Sequence, residues 1–187
     1  MVKKTRFPSK LKRVIIAAAI LIIAAGAIYL RIDQTGNFRT VSPGRVYRSG
    51  QLTEKQLVEY AEKYGIRSVL NLRGKNEQSD WWKQEIAASG QLSLKHYDIR
   101  LSSDKEPADK EVQELIAVLQ EAPKPLLIHC LAGADRSGLV SAMYLYRFEG
   151  YSYEQARRQL SLIYGHNALL NPHTKAMDRA FADFCGK

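Results

Sequence analysis

The stretch that most constrains this chain is the apolar run "PLLIHC", residues 125–130, which stops at a cysteine, crosses "LAGADRS" and enters "GLVSAMYLYRF". A short apolar run ending at a turn reads as a buried strand, and the segment after the loop reads as a helix. Upstream the same alternation recurs. "RVYRS", "IRSVLNL" and "LSLKHYDI" read as strands. Between the first two, "TEKQLVEYAEKY" opens with Thr53 and has Gln56 three positions on, the reciprocal capping pattern, and Gly65 closes it. "ADKEVQELIAVLQEA" places Val112, Leu115, Ile116 and Leu119 on one helical stripe. Further helical stretches fall around 138–149, 153–164 and 173–184. Strands alternating with helices predict an α/β domain with a central, mostly parallel sheet flanked by helices.

The chain has 187 residues and a formal charge of +9, with 28 Lys and Arg against 19 Asp and Glu. Six of the basic residues lie within 1–13, where there is no acid, so the remainder has 22 basic against 19 acidic residues. A mildly basic domain behind a basic tail does not form a nucleic-acid footprint, and no nucleic-acid partner is expected. Val14 to Leu30 is a run of seventeen uncharged residues. At about 1.5 Å per residue it reaches the lower limit for crossing a bilayer core. The expectation is a transmembrane signal anchor over 14–30, with the tail 1–13 on the cytoplasmic side. A linker over 31–43 and a folded domain over 44–187 on the non-cytoplasmic side would follow. A cleaved signal peptide at Ala25-Gly26-Ala27, releasing the domain, is the alternative.

The two cysteines, Cys130 and Cys185, are too few for a disulfide framework. A loop leaving a strand and entering a helix presents backbone N–H groups where anions bind. Gly133 lets that backbone curl into a nest, and the Arg136 fork matches two phosphate oxygens. The helix dipole and the arginine charge favour the Cys130 thiolate, a nucleophile. The Ser137 hydroxyl is placed to donate to it. A bare Cys-x5-Arg arises by chance in about one such chain in ten. Adding the strand, the helix, the glycine and the serine lowers that below about one in a thousand.

"HCLAGADRSG" resembles the signature H-C-x-x-G-x-x-R-[ST]-G of the cysteine-dependent protein tyrosine and dual-specificity phosphatases. "VYRSGQLTEKQL", "YGIRSVLNLRG" and "YDIRLSSDKEP" resemble segments of the small dual-specificity type found in bacteria, plants and fungi. The resemblance covers about residues 40–185. It implies hydrolysis of phosphate monoesters through a phosphocysteine, with no metal and no cofactor, on a phosphorylated protein or another phosphate ester. Cys130 would be the nucleophile. The N–H groups of Leu131, Ala132, Gly133, Ala134, Asp135 and Arg136 would form the cradle, and Arg136 the clamp. The family's general acid would lie in "YDIRLSSDKEP". Asp104, on the loop after the third strand, is preferred to Asp98 inside the strand, with Glu106 third. Ala132 and Ala134 stand where relatives acting on inositol lipids carry lysine, which weakens a lipid substrate.

His129, Tyr47 and Arg48 read as structural, and Asp135 as tying the loop to its surroundings. Trp81 and Trp82 read equally well as lining an entrance or capping a helix. Cys185 reads as a bystander or a resolving thiol. Competing chemistries on the same loop are arsenate reduction, which needs more thiols, and sulfur transfer, which has no use for Asp104. A non-catalytic phosphate-binding module would have lost the Cys or the Arg.

Overall fold

Successive side chains of a strand point to opposite faces, and in this chain both faces are apolar, so both must be covered. The computed structural model describes residues 9–187. Five short strands form its sheet: β1 (Arg39–Ser42), β2 (Val46–Ser49), β3 (Ser68–Asn71), β4 (Lys95–Asp98) and β5 (Leu126–His129). Their spatial order is β1-β2-β5-β3-β4. β1 pairs antiparallel with β2, while the other three pairings are parallel. The central strand β5 aligns Leu126 with Val46 and Ser68, and His129 with Ser49 and Asn71.

Val46, Leu70 and Ile128 face one core, which α4 (Asp109–Glu121), α5 (Asp135–Phe148) and α7 (Lys175–Phe184) complete with Leu115, Leu119, Leu139, Met143, Met177 and Phe181. Tyr47, Val69 and Leu127 face the other, against Leu57 and Ala61 of α2 (Glu54–Tyr64) and Ala88 of α3 (Asp80–Gln91). Burial of each large apolar side chain contributes about 1.5–3 kcal/mol. Thr53 caps α2 as the sequence predicts. Its hydroxyl accepts from the Gln56 N–H at 3.3 Å, and the Gln56 side chain accepts from the Thr53 N–H at 2.9 Å. Gly65 ends the helix at φ +63°.

Three elements differ from the sequence reading. β1 lies within the segment read as a linker. α3 has no apolar stripe to announce it, because its buried side carries Glu85 and Ser89 beside Ala88. The helix read over 153–164 is only α6 (Tyr153–Ala156) followed by turns at Arg157–Gln159 and Leu162–Tyr164.

The chain divides into two compact units, the second being Gly36–Lys187. The first contains α1 (Ser9–Thr35), and the tail expected over 1–13 lies outside the described residues through position 8. Among the described residues no helix is long and apolar enough to cross a membrane. This overturns the transmembrane signal anchor over 14–30, and with it the membrane partner and the single-pass placement. The physical reason is length and composition. Seventeen uncharged residues span about 25 Å against about 30 Å of hydrocarbon, and seven of the seventeen are Ala or Gly.

Candidate active site

Cys130 follows the last residue of β5, is 2% exposed, and has its Sγ 3.6 Å from the Ser137 hydroxyl oxygen. The loop after it is held from outside by its carbonyls. The Gln51 N–H donates to Leu131 O at 3.0 Å. Asn37 Nδ2 donates to Ala132 O at 3.0 Å and Gly133 O at 3.3 Å. Arg48 donates to Gly133 O at 2.9 Å and Ala134 O at 2.7 Å. In a trans peptide the N–H points opposite to the preceding C=O. Tying back carbonyls 131 to 134 therefore turns the N–H groups of Ala132, Gly133, Ala134 and Asp135 inward. Gly133 sits at φ +72°, and a Cβ there would lie 2.4 Å from the Gly50 nitrogen. No larger residue fits that approach.

Arg48 is fully buried. Its Nη1 reaches Gln159 O at 2.8 Å and Gln159 Oε1 at 2.9 Å, its buried Nε has no partner among the described residues, and its guanidinium lies 4.7 Å from the centre of the Tyr164 ring. Burial lowers its pKa to about 10, partly offset by Cys130, Tyr164 and Asp135, so it stays charged at neutral pH. Arg136 Nη1 donates to Leu72 O at 3.3 Å and Leu101 O at 3.4 Å. Its buried Nε has no partner among the described residues. A buried cationic N–H without an acceptor is costly unless an anion supplies one.

Asp135 turns away from the cradle. Its Oδ1 is 2.6 Å from His166 Nδ1, while His166 Nε2 is 2.9 Å from Asp178 Oδ2 on α7. Burial lowers the His166 pKa, but the hydrogen bonds to Asp135 and Asp178 outweigh it, and the net shift is upward. A raised folded-state pKa contributes stability that is complete below the unfolded value of about 6.5 and is lost as pH rises through the folded value. His166→Gln is therefore expected to lower Tm most below pH 6.5, with the gap to wild type narrowing as pH rises. A gap that widens towards alkaline pH would show that the imidazole is neutral in the fold.

The three candidate acids have different surroundings. Asp98 accepts from Asn71 Nδ2 at 2.7 Å and from Trp82 Nε1 at 3.2 Å, a structural load inside the sheet edge. Glu106 pairs with Arg179 of α7. Asp104 stands exposed on the loop after β4, where the Ser102 hydroxyl bonds its carboxylate and lowers its pKa. That loop reaches the site through Leu101, the residue whose carbonyl Arg136 holds. His129 is buried, with Nε2 3.1 Å from Glu85 Oε1, and His96 Nε2 lies 2.8 Å from the same oxygen. Burial pushes the Glu85 pKa up, yet the two histidines overcome it and hold the carboxyl well below the usual range. Cys185 ends α7, and both thiols are free.

Asn37, Gln51 and Glu85 were not singled out from the sequence, and Arg48 was read as structural without its partners. The available signal was cost: a guanidinium or carboxylate in a buried segment must find several acceptors or donors.

A buried thiol at the head of a loop whose carbonyls are bonded from outside is an arrangement that can bring sulfur to an oxyanion. The family model described as "DSP-PTPase phosphatase fused to NAD+ Kinase" matches residues 26–177, and the chain belongs to that family of cysteine-based phosphatases. No curated protein matches the chain. Among solved structures, a DUF442 protein from Shewanella putrefaciens CN-32 is 18% identical, with a TM-score of 0.63, covering 83% of this chain and 94% of that one. TpbA of P. aeruginosa, in complex with pTyr, is 22% identical, with a TM-score of 0.58, covering 81% and 87%. The core catalytic domain of the PP-IP phosphatase SIW14 from S. cerevisiae is also 22% identical, with a TM-score of 0.58, covering 79% and 86%. At these identities the likeness is one of fold.

Proposed function

We propose that this phosphatase cleaves phosphate monoesters of phosphorylated proteins, with Cys130 as nucleophile and Asp104 as general acid and base. The observation that carries the reading is the buried Cys130 thiol at the start of a loop whose carbonyls are bonded from outside, with the buried Nε of Arg136 left without an acceptor among the described residues. In the first step the Cys130 thiolate attacks phosphorus, an S–P bond forms, and the P–O bond to the leaving group breaks. Asp104 gives its proton to the departing oxygen. In the second step Asp104 takes a proton from water, the oxygen attacks phosphorus, and the S–P bond breaks to return thiolate and inorganic phosphate. The N–H groups of residues 131–136 hold the equatorial oxygens, and Arg136 clamps two of them. Ser137, within reach of the sulfur, stabilises the thiolate as it leaves.

Asp104 is ionised when its loop faces solvent. Beside a bound phosphate dianion its pKa rises, because a like charge disfavours the ionised form. The test is leaving-group dependence. A general acid matters most when the leaving group is poor, so Asp104→Asn should slow phosphotyrosine or phosphoserine hydrolysis by about 10²-fold or more and an activated aryl phosphate far less. It should also remove the alkaline limb of the kcat profile. Asp98→Asn should cost stability without either effect. Exchange of these two behaviours would move the acid to Asp98.

A further inference from the structure

Arg73, the second residue after β3, is joined to the candidate site on both sides. Arg136 Nη1 bonds the carbonyl of Leu72, the residue immediately before it. Arg73 Nη1 donates to Gln51 Oε1 at 2.7 Å, and the Gln51 backbone N–H bonds Leu131 O in the cradle. The other side of Gln51 is fixed by Glu85, whose Oε2 accepts from Nε2 at 2.7 Å. The Arg73 guanidinium carbon lies 3.5 Å from the centre of the Trp81 ring, a stacked arrangement. The Arg73 N–H is bonded to Asn71 Oδ1 at 2.8 Å, and Asn71 is in turn bonded to Asp98, which holds Trp82.

A flexible cation has thus been immobilised by a ring, an amide and its own backbone, yet it takes part in none of the ion pairs among the described residues. Fixing a long side chain loses rotamer freedom, and the stack and amide bond leave other donors of the fork unused. Burial lowers the Arg73 pKa and the nearby Arg136 charge lowers it further, with Glu85 and Cys130 acting the other way. An anion bound at Arg73 offsets that repulsion.

We propose that Arg73 is a second anion subsite, which binds an oxyanion group carried by the substrate next to the phosphate undergoing cleavage. The proposal rests on the phosphatase reading above and specifies its substrate. The recognised chemistry is a pair of negatively charged oxygens matched to a planar fork. A neighbouring Asp or Glu carboxylate of a phosphoprotein supplies it, and so does a second phosphoryl group on a small phosphate ester.

The experiment uses the full chain and two matched substrate pairs. One pair is a phosphotyrosine peptide with Glu beside the phosphoresidue and its Gln counterpart. The other is an inositol bisphosphate and the corresponding monophosphate. The quantity read is the ratio of kcat/KM within each pair. In the wild-type protein the more anionic member should be preferred. Arg73→Gln should reduce that ratio about 10-fold to 100-fold, the range for losing a charge-assisted hydrogen-bonded contact. Arg73→Lys, which keeps charge but loses the fork and the stack, should fall between. The arm that shows the effect identifies the source of the oxyanion. Ratios unchanged by Arg73→Gln in both arms, with normal Cys130-dependent turnover, would overturn the subsite alone. Absence of turnover of any phosphate ester by the wild-type protein would instead overturn the phosphatase reading. A Tm measurement on each variant separates loss of fold from loss of selectivity.

Discussion

Cys130→Ser is expected to reduce turnover of an aryl phosphate by about 10⁴-fold or more, the scale on which enzymes lose activity when a covalent nucleophile is removed. The hydroxyl that replaces the thiol is not ionised at neutral pH, and among the described residues no base is bonded to the side chain at position 130 to activate it. Its neighbour Ser137 is itself a hydroxyl. Binding should survive, because the cradle is built from backbone N–H groups held by Gln51, Asn37 and Arg48, none of which touches the sulfur. A tungstate titration followed by calorimetry should therefore give an affinity close to wild type. Turnover within an order of magnitude of wild type would remove the phosphocysteine from the mechanism. Loss of tungstate binding together with activity would show that the sulfur also shapes the loop.

The second large effect is expected at Arg48. Replacing it with methionine keeps an unbranched apolar stem and deletes the guanidinium. The carbonyl of Gln159 then loses its donor in a buried setting, while Gly133 O keeps Asn37 and Ala134 O keeps the Gly138 N–H. Four hydrogen bonds from a charged donor are lost, each worth about 1.5–3 kcal/mol before relaxation, so a total loss of about 3 kcal/mol or more is expected. For a unit of this size the corresponding fall in Tm is about 10 °C. Activity should fall at temperatures where the variant is still folded, by about 10²-fold, because released carbonyls let the N–H groups swing out of the cradle. Thermal unfolding and kcat/KM on one preparation check both parts. Wild-type values of both would mean that the loop holds its shape without the arginine.

Much of this was visible in the residue pattern because it depends on local rules. The strand before Cys130, the glycine at 133 and the cap at Thr53 are each dictated by nearest neighbours along the chain, and each appears in the fold. The family followed from ten contiguous residues. The distant partners were not legible. Arg48 lies 85 residues from Gly133, and Asn37 lies 95 from Ala132; no periodicity encodes such meetings. α3 escaped for a different reason, since a helix that buries Glu85 towards two histidines shows no apolar stripe. The apolar segment at 14–30 misled by composition, because a run of alanine, glycine and branched residues without charge satisfies a hydropathy reading while falling short in length.

Strand order has a consequence for how such a protein can change. β5 lies between β2 and β3, so the chains leaving these strands diverge at its carboxyl end and open a crevice where ligands bind. The segment after β5 holds Cys130 and Arg136. The one after β2 contributes the brace at Gln51 and the close approach of Gly50 to Gly133, and the one after β3 contributes Arg73. The three stretches are coupled, since Arg136 donates to Leu72 O and Arg73 donates to Gln51. A graft of a different 72–79 segment would therefore have to keep the backbone path at position 72, where Arg136 bonds the carbonyl, while it changed the side chain at position 73.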